Sequence, residues 1–236
     1  MASAALGQVY LIPCFISEEA TETLPAYITD AVKECQVFFV ENERSARRFL
    51  KQLWKEMVID NYSWHTIHKA EEAVQEDFKR ALQRGHTIGI ISEAGCPGVA
   101  DPGQVLVAVA QQMQATVKPL VGPSSILLAL MASGMNGQQF AFAGYLPIDA
   151  AERVKRIKEL EQESRKKNCT QIFIETPYRN NQLIETICKT CQPQTRLCIA
   201  ADITAPTEKI QTNTIAVWQK KLPDIHKRPA IFLLQA

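Results

Sequence analysis

The sequence predicts an α/β protein of two domains, with a mostly parallel sheet in the first and a mixed sheet in the second. The chain has 236 residues, more than the roughly 100–150 residues of a usual domain. In its first half, short β-branched or aromatic runs alternate with longer helical patterns, which is typical of βαβ units. Towards the end, three extended runs follow one another without helices, which favours antiparallel pairing.

The first half holds four strand patterns, each followed or preceded by a helical one. The predicted strands are residues 9–13, 35–41, 86–92 and 116–120, and the predicted helices are residues 24–33, 44–55, 70–83 and 104–114. The third helix stops at Arg84 and Gly85, where a basic last turn meets a glycine.

Gly122 and Pro123 break this alternation, so we place the domain boundary near residue 121, giving domains 1–121 and 122–236. In the second domain the predicted helices are residues 124–133, 151–167 and 181–190. The predicted strands are residues 140–146, 170–175, 196–202, 210–218 and 229–234. Because the last three are closely spaced, the sheet is predicted to be mixed.

Composition narrows the possible partners and location. The 26 basic and 25 acidic residues give a net charge of +1, so no overall field draws the chain to nucleic acid or to anionic membranes, and RNA binding needs a local patch. No apolar run reaches the roughly 18–20 residues of a membrane span, and the start lacks the basic region of a secretory signal. The 7 cysteines are scattered, as reduced thiols are. We expect a cytoplasmic protein with no membrane or DNA partner.

Residues 92–103, the sequence SEAGCPGVADPG, form the most unusual segment. We call this segment the glycine loop. It leaves a buried-type strand and enters a helix, where ligands bind in open α/β sheets, and its glycines let backbone approach a ligand closely. Asp101 is predicted to cap the next helix. The alternative is an ordinary turn of unusual composition, and the two common nucleotide-binding fingerprints are missing from the chain.

A second stretch, residues 119–125 (PLVGPSS), again joins a strand to a hydroxyl-bearing helix start. Free N–H groups and two serine hydroxyls there suit a polar ligand, although for this stretch taken by itself a simple helix cap is the favoured explanation. In this order and at this separation, the two stretches resemble the tetrapyrrole (corrin/porphyrin) methylase family, most closely its branch of ribosomal RNA small subunit methyltransferase I. Further resemblances are residues 9–13 (VYLIP), 41–44 (ENER), 144–147 (GYLP) and 172–179 (IFIETPYR).

The resemblance implies two α/β domains of the tetrapyrrole methylase type, a homodimer, and S-adenosylmethionine bound in a cleft between the domains. Methyl transfer is an in-line displacement that needs alignment more than elaborate acid–base groups. Carried over position by position, the resemblance implies these cofactor-binding residues: Ala94, Gly95, Cys96, Pro97, Val99, Ala100, Ser124, Ser125, Glu175, Thr176, Pro229 and Ala230.

The chain departs from the branch on the side expected to bind the acceptor. Residues 14–18 (CFISE) replace a Gly-Asn turn after the first strand, residues 228–230 (RPA) resemble the general family ending, and the helical tail of longer members is not expected. The leading hypothesis is methylation of ribosomal RNA at a ribose 2′-hydroxyl. The alternatives are a methylase of tetrapyrroles or other small molecules, and a non-catalytic cofactor-binding partner protein.

A ribose hydroxyl needs a base to take its proton as the methyl group moves. The candidate bases are Glu41, Glu43 and Glu93. Glu41 with Arg44 matches the family's edge and is predicted to be catalytic, with a structural salt bridge as the alternative. Arg179 is predicted to bind a substrate phosphate, which a planar guanidinium does well.

Three other patterns are predicted to be structural, and no metal site is expected. Cys188 and Cys191 have metal-ligand spacing without a second pair, and His65 and His68 lack an acidic third ligand. The basic run in residues 153–167 is interleaved with glutamates, which is typical of a solvated helix face, with RNA contact as the alternative.

Overall fold

The structure is a computed structural model that describes residues 5–67, 71–100 and 102–236. Contacts within the chain divide it into two compact units, Met1–Ser124 and Ser125–Ala236. Each unit contains one five-stranded sheet.

The first unit is a wholly parallel sheet with helices on both faces. Its strands are β1 (Gln8–Ile12), β2 (Val37–Val40), β3 (Ser63–Thr66), β4 (Ile88–Ile91) and β5 (Thr116–Pro119), in the order β3-β2-β4-β1-β5. Its helices are α1 (Tyr27–Glu34), α2 (Glu43–Leu53), α3 (Glu71–Gln83) and α4 (Gln104–Gln112). Every strand pair is parallel.

Two apolar clusters hold the helices against this sheet. Ile28 of α1 and Leu50 of α2 pack on one face, and Phe78 of α3 and Leu106 of α4 pack on the other. Because β2 and β4 are covered on both faces, their residues are apolar throughout and completely buried. The sequence showed no clear pattern for β3, since this edge strand is short and polar and lies only partly buried.

The second unit is a mixed sheet. Its strands are β6 (Phe140–Tyr145), β7 (Thr170–Ile174), β8 (Arg196–Ala201), β9 (Lys209–Thr214) and β10 (Ala230–Gln235), in the order β6-β7-β10-β8-β9. Its helices are α5 (Ser125–Ser133), α6 (Ala150–Lys167), α7 (Asn180–Thr190) and α8 (Ile215–Trp218). Only β6 and β7 pair in parallel. The predicted fold class, a parallel and a mixed sheet, is confirmed.

The prediction of one extended run over residues 210–218 is wrong in its second half. Strand β9 ends at Thr214, and Ile215–Trp218 form the short helix α8. Ile215 and Trp218, three residues apart, both face the core, and Trp218 Nε1 donates to Leu197 O at 2.9 Å. The β-branched residues of the segment suggested a strand, but burial at helical spacing determined its structure.

The residues predicted to be structural lie in ordinary surroundings. Cys188 and Cys191 are buried free thiols, and burial raises the pKa of Cys188 to about 11. His65 stacks on Phe39 with ring centroids 4.6 Å apart, whereas His68 lies outside the described residues. In the basic run, Arg153 is buried and donates to Ile148 O, and Arg156 pairs with Glu159 and Glu163 on the same helix.

Within the described residues, no group of three or more His, Cys, Asp or Glu side chains is arranged to hold a metal ion. Among the same residues, every helix is too short or too polar to cross a membrane.

Candidate functional site

Three loops meet at the carboxyl edge of the first sheet, where β4, β1 and β5 are neighbours. The Cys14 N–H, after β1, donates to Gly95 O at 2.8 Å, and these two residues form an isolated antiparallel bridge. Cys96 Sγ lies 3.5 Å from Pro123 O, in the loop after β5. The structure therefore brings the two stretches singled out in the sequence into direct contact.

The loop after β5 approaches the loop after β1 so closely that one of its positions requires glycine. A Cβ added to Gly122 would lie 2.2 Å and 2.3 Å from Pro13 Cβ and Cγ, far inside normal contact. Only a glycine fits at this position, between the loop after β1 and the loop after β5. Ser124 follows as the last residue of the first unit, and Ser125 begins α5.

The glycine loop turns repeatedly through left-handed backbone. Among the described residues of the loop, positive φ values occur at four positions: Gly95 (68°), Gly98 (77°), Ala100 (63°) and Gly103 (116°). Residues with side chains rarely adopt this conformation, so the composition of the loop follows from its path. Gly103 is the N-cap residue of α4. Asp101, which the sequence predicted for that role, lies outside the described residues.

The cofactor residues predicted in this loop differ in exposure. Gly95 and Pro97 are buried and Cys96 is half-buried, whereas Ala94, Val99 and Ala100 are exposed. The loop therefore has a buried base, which anchors it to the sheet, and an exposed rim that is accessible to a ligand.

Two of the candidate bases are linked beside the glycine loop. Glu41 Oε2 accepts the Glu93 N–H at 2.9 Å, and Glu93 Oε1 lies 3.2 Å from Ser45 Oγ. Asn42 caps α2 by accepting the N–H groups of Arg44 and Ser45. Although both residues are described, no ion pair joins Glu41 to Arg44, and Glu43 pairs with Arg47.

A cavity of about 210 Å³ lies next to this pair of carboxylates. One side of its wall is formed by Cys14, Phe15, Ile16 and Glu18, and Glu18 pairs with Arg48, which also lines the cavity. The cavity is lined by Cys14, Phe15, Ile16, Glu18, Ser45, Ala46, Arg48, Phe49, Ser92 and Glu93. Glu93 thus lines the cavity directly, whereas Glu41 does not line it and is connected to it through its hydrogen bond with the Glu93 backbone. Ser45 was not singled out in the sequence, because nothing local marks a serine in a helix's first turn as a neighbour of a loop 48 residues away.

In the second unit, a buried carboxylate follows β7. Glu175 Oε1 accepts the Thr176 N–H at 2.7 Å and two guanidinium donors of Arg179, Nε at 3.0 Å and Nη2 at 2.5 Å. Glu175 Oε2 is equally buried and has no hydrogen-bond partner. Arg179, predicted to bind a phosphate, therefore directs two of its donors to Glu175.

The remaining predicted cofactor residues, Pro229 and Ala230, lie at the start of β10, the neighbour of β7 in the sheet. Ile231 of β10 pairs with Ile174 of β7, so Ala230 lies opposite Glu175 in the antiparallel ladder. The exposed Pro229 precedes it and accepts the Asp202 N–H at 2.9 Å. Within this unit the structure brings the residue pairs 175–176 and 229–230 together.

Comparison with known proteins identifies the family of the chain. The model of the family Tetrapyrrole (Corrin/Porphyrin) Methylases matches residues 20–217. A protein of Mesorhizobium japonicum named Ribosomal RNA small subunit methyltransferase I is 30% identical over 207 residues, 88% of this chain and 67% of that protein. Its namesake from Buchnera aphidicola is 28% identical over 232 residues, 97% of this chain and 78% of that protein.

Solved structures show the same fold at lower identity. The methyltransferase CobJ aligns with a TM-score of 0.64 and 16% identity, covering 97% of this chain and 94% of CobJ. A uroporphyrin-III C-methyltransferase from Thermus thermophilus, complexed with S-adenosylhomocysteine, aligns with a TM-score of 0.56 and 16% identity, covering 97% of each chain. The family predicted from the two loops is confirmed.

Proposed function

Since the chain belongs to the tetrapyrrole (corrin/porphyrin) methylases, we propose that it is an S-adenosylmethionine-dependent methyltransferase acting on small-subunit ribosomal RNA, at a ribose 2′-hydroxyl. The observation that carries this proposal is the meeting of three loops at the carboxyl edge of the first sheet, with the glycine loop in left-handed backbone. The choice of RNA rests on the similarity to ribosomal RNA methyltransferases over 88% and 97% of the chain.

The residues present fit this cofactor. S-adenosylmethionine supplies an electrophilic methyl carbon on a sulfonium, and it carries hydroxyl, amino and ammonium donors. The exposed rim of the glycine loop offers backbone groups, and Glu175 Oε2 offers a buried acceptor without a partner. A buried carboxylate oxygen that accepts no hydrogen bond costs free energy. A ligand that donates a hydrogen bond to this oxygen would remove that cost. We assign to cofactor binding the same twelve residues that the resemblance implies, from both units.

Glu93 is the catalytic base in this proposal. Its carboxylate lines the cavity and lies against the Ser45 hydroxyl, so it is placed to take the proton of an acceptor hydroxyl. Glu41, which the sequence favoured as a catalytic residue, becomes a positioning residue that holds the Glu93 backbone. Arg44 stays a predicted catalytic residue, as an electrostatic partner of the carboxylates. Arg179 stays the predicted contact of a substrate phosphate, through the part of its guanidinium not paired with Glu175.

A homodimer is part of the proposal, with β6 at its interface. This edge strand pairs only with β7, and Phe140, Ala141 and Phe142 are all exposed in the single chain. Since successive strand residues point to opposite faces, these three residues leave the first half of the strand exposed on both faces, while Ala143 packs against the core. A second copy that covers it should bury on the order of 2,000 Å² in total. Sedimentation at micromolar concentration should report a dimer, and Phe142→Glu should shift it to monomer; a monomeric wild type would refute this interface.

The substrate is tested by methyl transfer from radiolabelled S-adenosylmethionine to small ribosomal subunits isolated from a strain lacking the gene. Incorporation into RNA, with one inter-nucleotide bond made resistant to alkali, is the expected result because a methylated 2′-oxygen cannot attack the phosphate. Incorporation without alkali resistance would place the methyl group elsewhere on the RNA. Methylation of uroporphyrinogen instead would favour the small-molecule alternative, and cofactor binding without turnover on cell extract would favour a non-catalytic protein.

A further inference from the structure

Next to the candidate cofactor segment of the second unit, an exposed aromatic ring is flanked by basic side chains. Tyr178 is 69% exposed and lies in a single 3₁₀ turn, Pro177–Arg179. His226 meets its ring edge-on, with centroids 6.0 Å apart, and Lys227 Nζ lies 5.8 Å from the ring centroid. Both basic residues are themselves exposed. We call Tyr178, His226 and Lys227 the tyrosine platform.

The platform is held rigidly although it is on the surface. The Lys227 N–H donates to Pro177 O at 3.0 Å, which ties the two loops together. Below it, Asn181 donates through Nδ2 to Asp224 Oδ1 at 2.8 Å and accepts the Ile225 N–H at 3.0 Å. The ring is therefore presented by two loops locked to one another and not by a free chain end.

The backbone at Lys227 is unusual for a residue with a side chain. Its φ is +64°, in the left-handed region that glycine or asparagine normally occupies. The hydrogen bonds from Lys227 N–H to Pro177 O and from Arg228 N–H to Ile225 O hold the turn in this conformation. Strained residues are held where the surrounding structure fixes them, and they cluster at binding sites.

From this geometry we infer that the tyrosine platform binds an unpaired base of single-stranded RNA, with the base stacked on Tyr178 and the neighbouring phosphates contacted by Lys227 and His226. Proteins recognise unpaired bases by stacking them on aromatic rings, and cations beside the ring serve the backbone. The net charge of +1 over the whole chain supplies no general attraction, so such a local patch is what RNA binding requires. The inference rests on the proposed function, because it names a further contact for the same RNA.

The test measures anisotropy of a fluorescent single-stranded oligoribonucleotide with the full chain, beside methylation of small subunits. Tyr178→Leu should weaken RNA binding about tenfold, while Tyr178→Phe, which keeps the ring, should bind like the wild type. Lys227→Gly accepts the left-handed backbone and removes the cation, so it should weaken binding a few-fold and reduce the salt dependence by about one contact. Lys189→Ala, an exposed lysine on α7, is the matched control and should change neither.

Cofactor affinity should be unchanged in all four variants. Thermal melting should be unchanged in every variant except Lys227→Gly, which should melt slightly higher because glycine relieves the left-handed backbone. The Tyr178→Leu loss should appear in KM for small subunits and not in kcat. Equal RNA binding by wild type and Tyr178→Leu, with RNA methylation intact, would overturn the platform and leave the proposed function standing. RNA binding that depends on Tyr178, in a chain that methylates no RNA, would support the platform and refute the proposed function. A wild type that neither binds nor methylates RNA would refute both.

Discussion

The candidate cofactor segments of the two units are built in opposite ways. The first unit relies on backbone: the glycine loop passes through four left-handed residues, and Gly122 leaves no space for a side chain against Pro13. The second unit relies on side chains: Glu175 is buried, binds Arg179 through one oxygen and has an unpartnered second oxygen. Cofactor binding by the glycine loop should therefore be lost when a side chain is added, and cofactor binding at Glu175 should be weakened when the charge is removed.

The largest effect is expected from adding a side chain to the glycine loop. Gly95→Leu should abolish S-adenosylmethionine binding, because φ is +68° there and the new side chain must occupy space beside the loop. A Cβ at this position lies 3.5 Å from Pro123 O, so the fold itself has room for the first carbon. Calorimetric titration measures the affinity, and thermal melting checks the fold.

Gly85→Leu is the matched control for this change. Gly85 has a similar φ of +76° but only ends α3, so its substitution should cost about 1 kcal/mol of stability and leave cofactor binding unchanged. Wild-type affinity in the Gly95→Leu protein would refute the assignment of this loop to the methyl donor.

The next largest effect should separate the two linked carboxylates. Glu93→Gln should lower kcat for methyl transfer by roughly 100-fold, the typical contribution of a general base, while cofactor affinity stays at the wild-type value. Glu41→Gln should lower kcat less, since an amide oxygen still accepts the Glu93 N–H. A larger loss in Glu41→Gln than in Glu93→Gln would return the catalytic role to Glu41.

The sequence carried enough information to predict the backbone-built part of the site, because a path through left-handed residues requires glycines that are visible in one segment. Gly95, Gly98 and Gly103 all have positive φ. It could not show that Glu175 has one oxygen satisfied and one unpartnered, since that depends on burial and on which way Arg179 turns. The sheets followed from apolar runs, whereas β3 and α8 depended on packing that local pattern does not encode.

In the second unit, Glu175→Gln should lower cofactor affinity about tenfold, because a hydrogen bond to a charged acceptor is worth about 1.5 kcal/mol or more. The variant keeps the size of the side chain but leaves Arg179 without its anionic partner, so some stability should be lost as well. Glu185→Gln, an exposed glutamate on α7, serves as the control and should change neither quantity. Loss of stability with unchanged cofactor affinity would show that Glu175 supports only the turn that contains Arg179.

The smallest effect should come from Gly98→Ala, which tests whether backbone conformation or free space matters in the glycine loop. A Cβ at Gly98 meets no atom of the described residues within 4 Å, so the cost that the structure shows for it is the φ of +77°. The same loop already holds Ala100 at a φ of 63°, so an alanine can adopt this conformation at a cost of about 1 kcal/mol. We expect a small loss of stability. Cofactor affinity should change less than about threefold, because only part of this backbone strain affects the conformation that binds the cofactor. If Gly98→Ala lost as much cofactor affinity as Gly95→Leu, the ligand would have to contact Gly98 directly. The loop would then serve binding by leaving open space beside Gly98 and not by the path of its backbone.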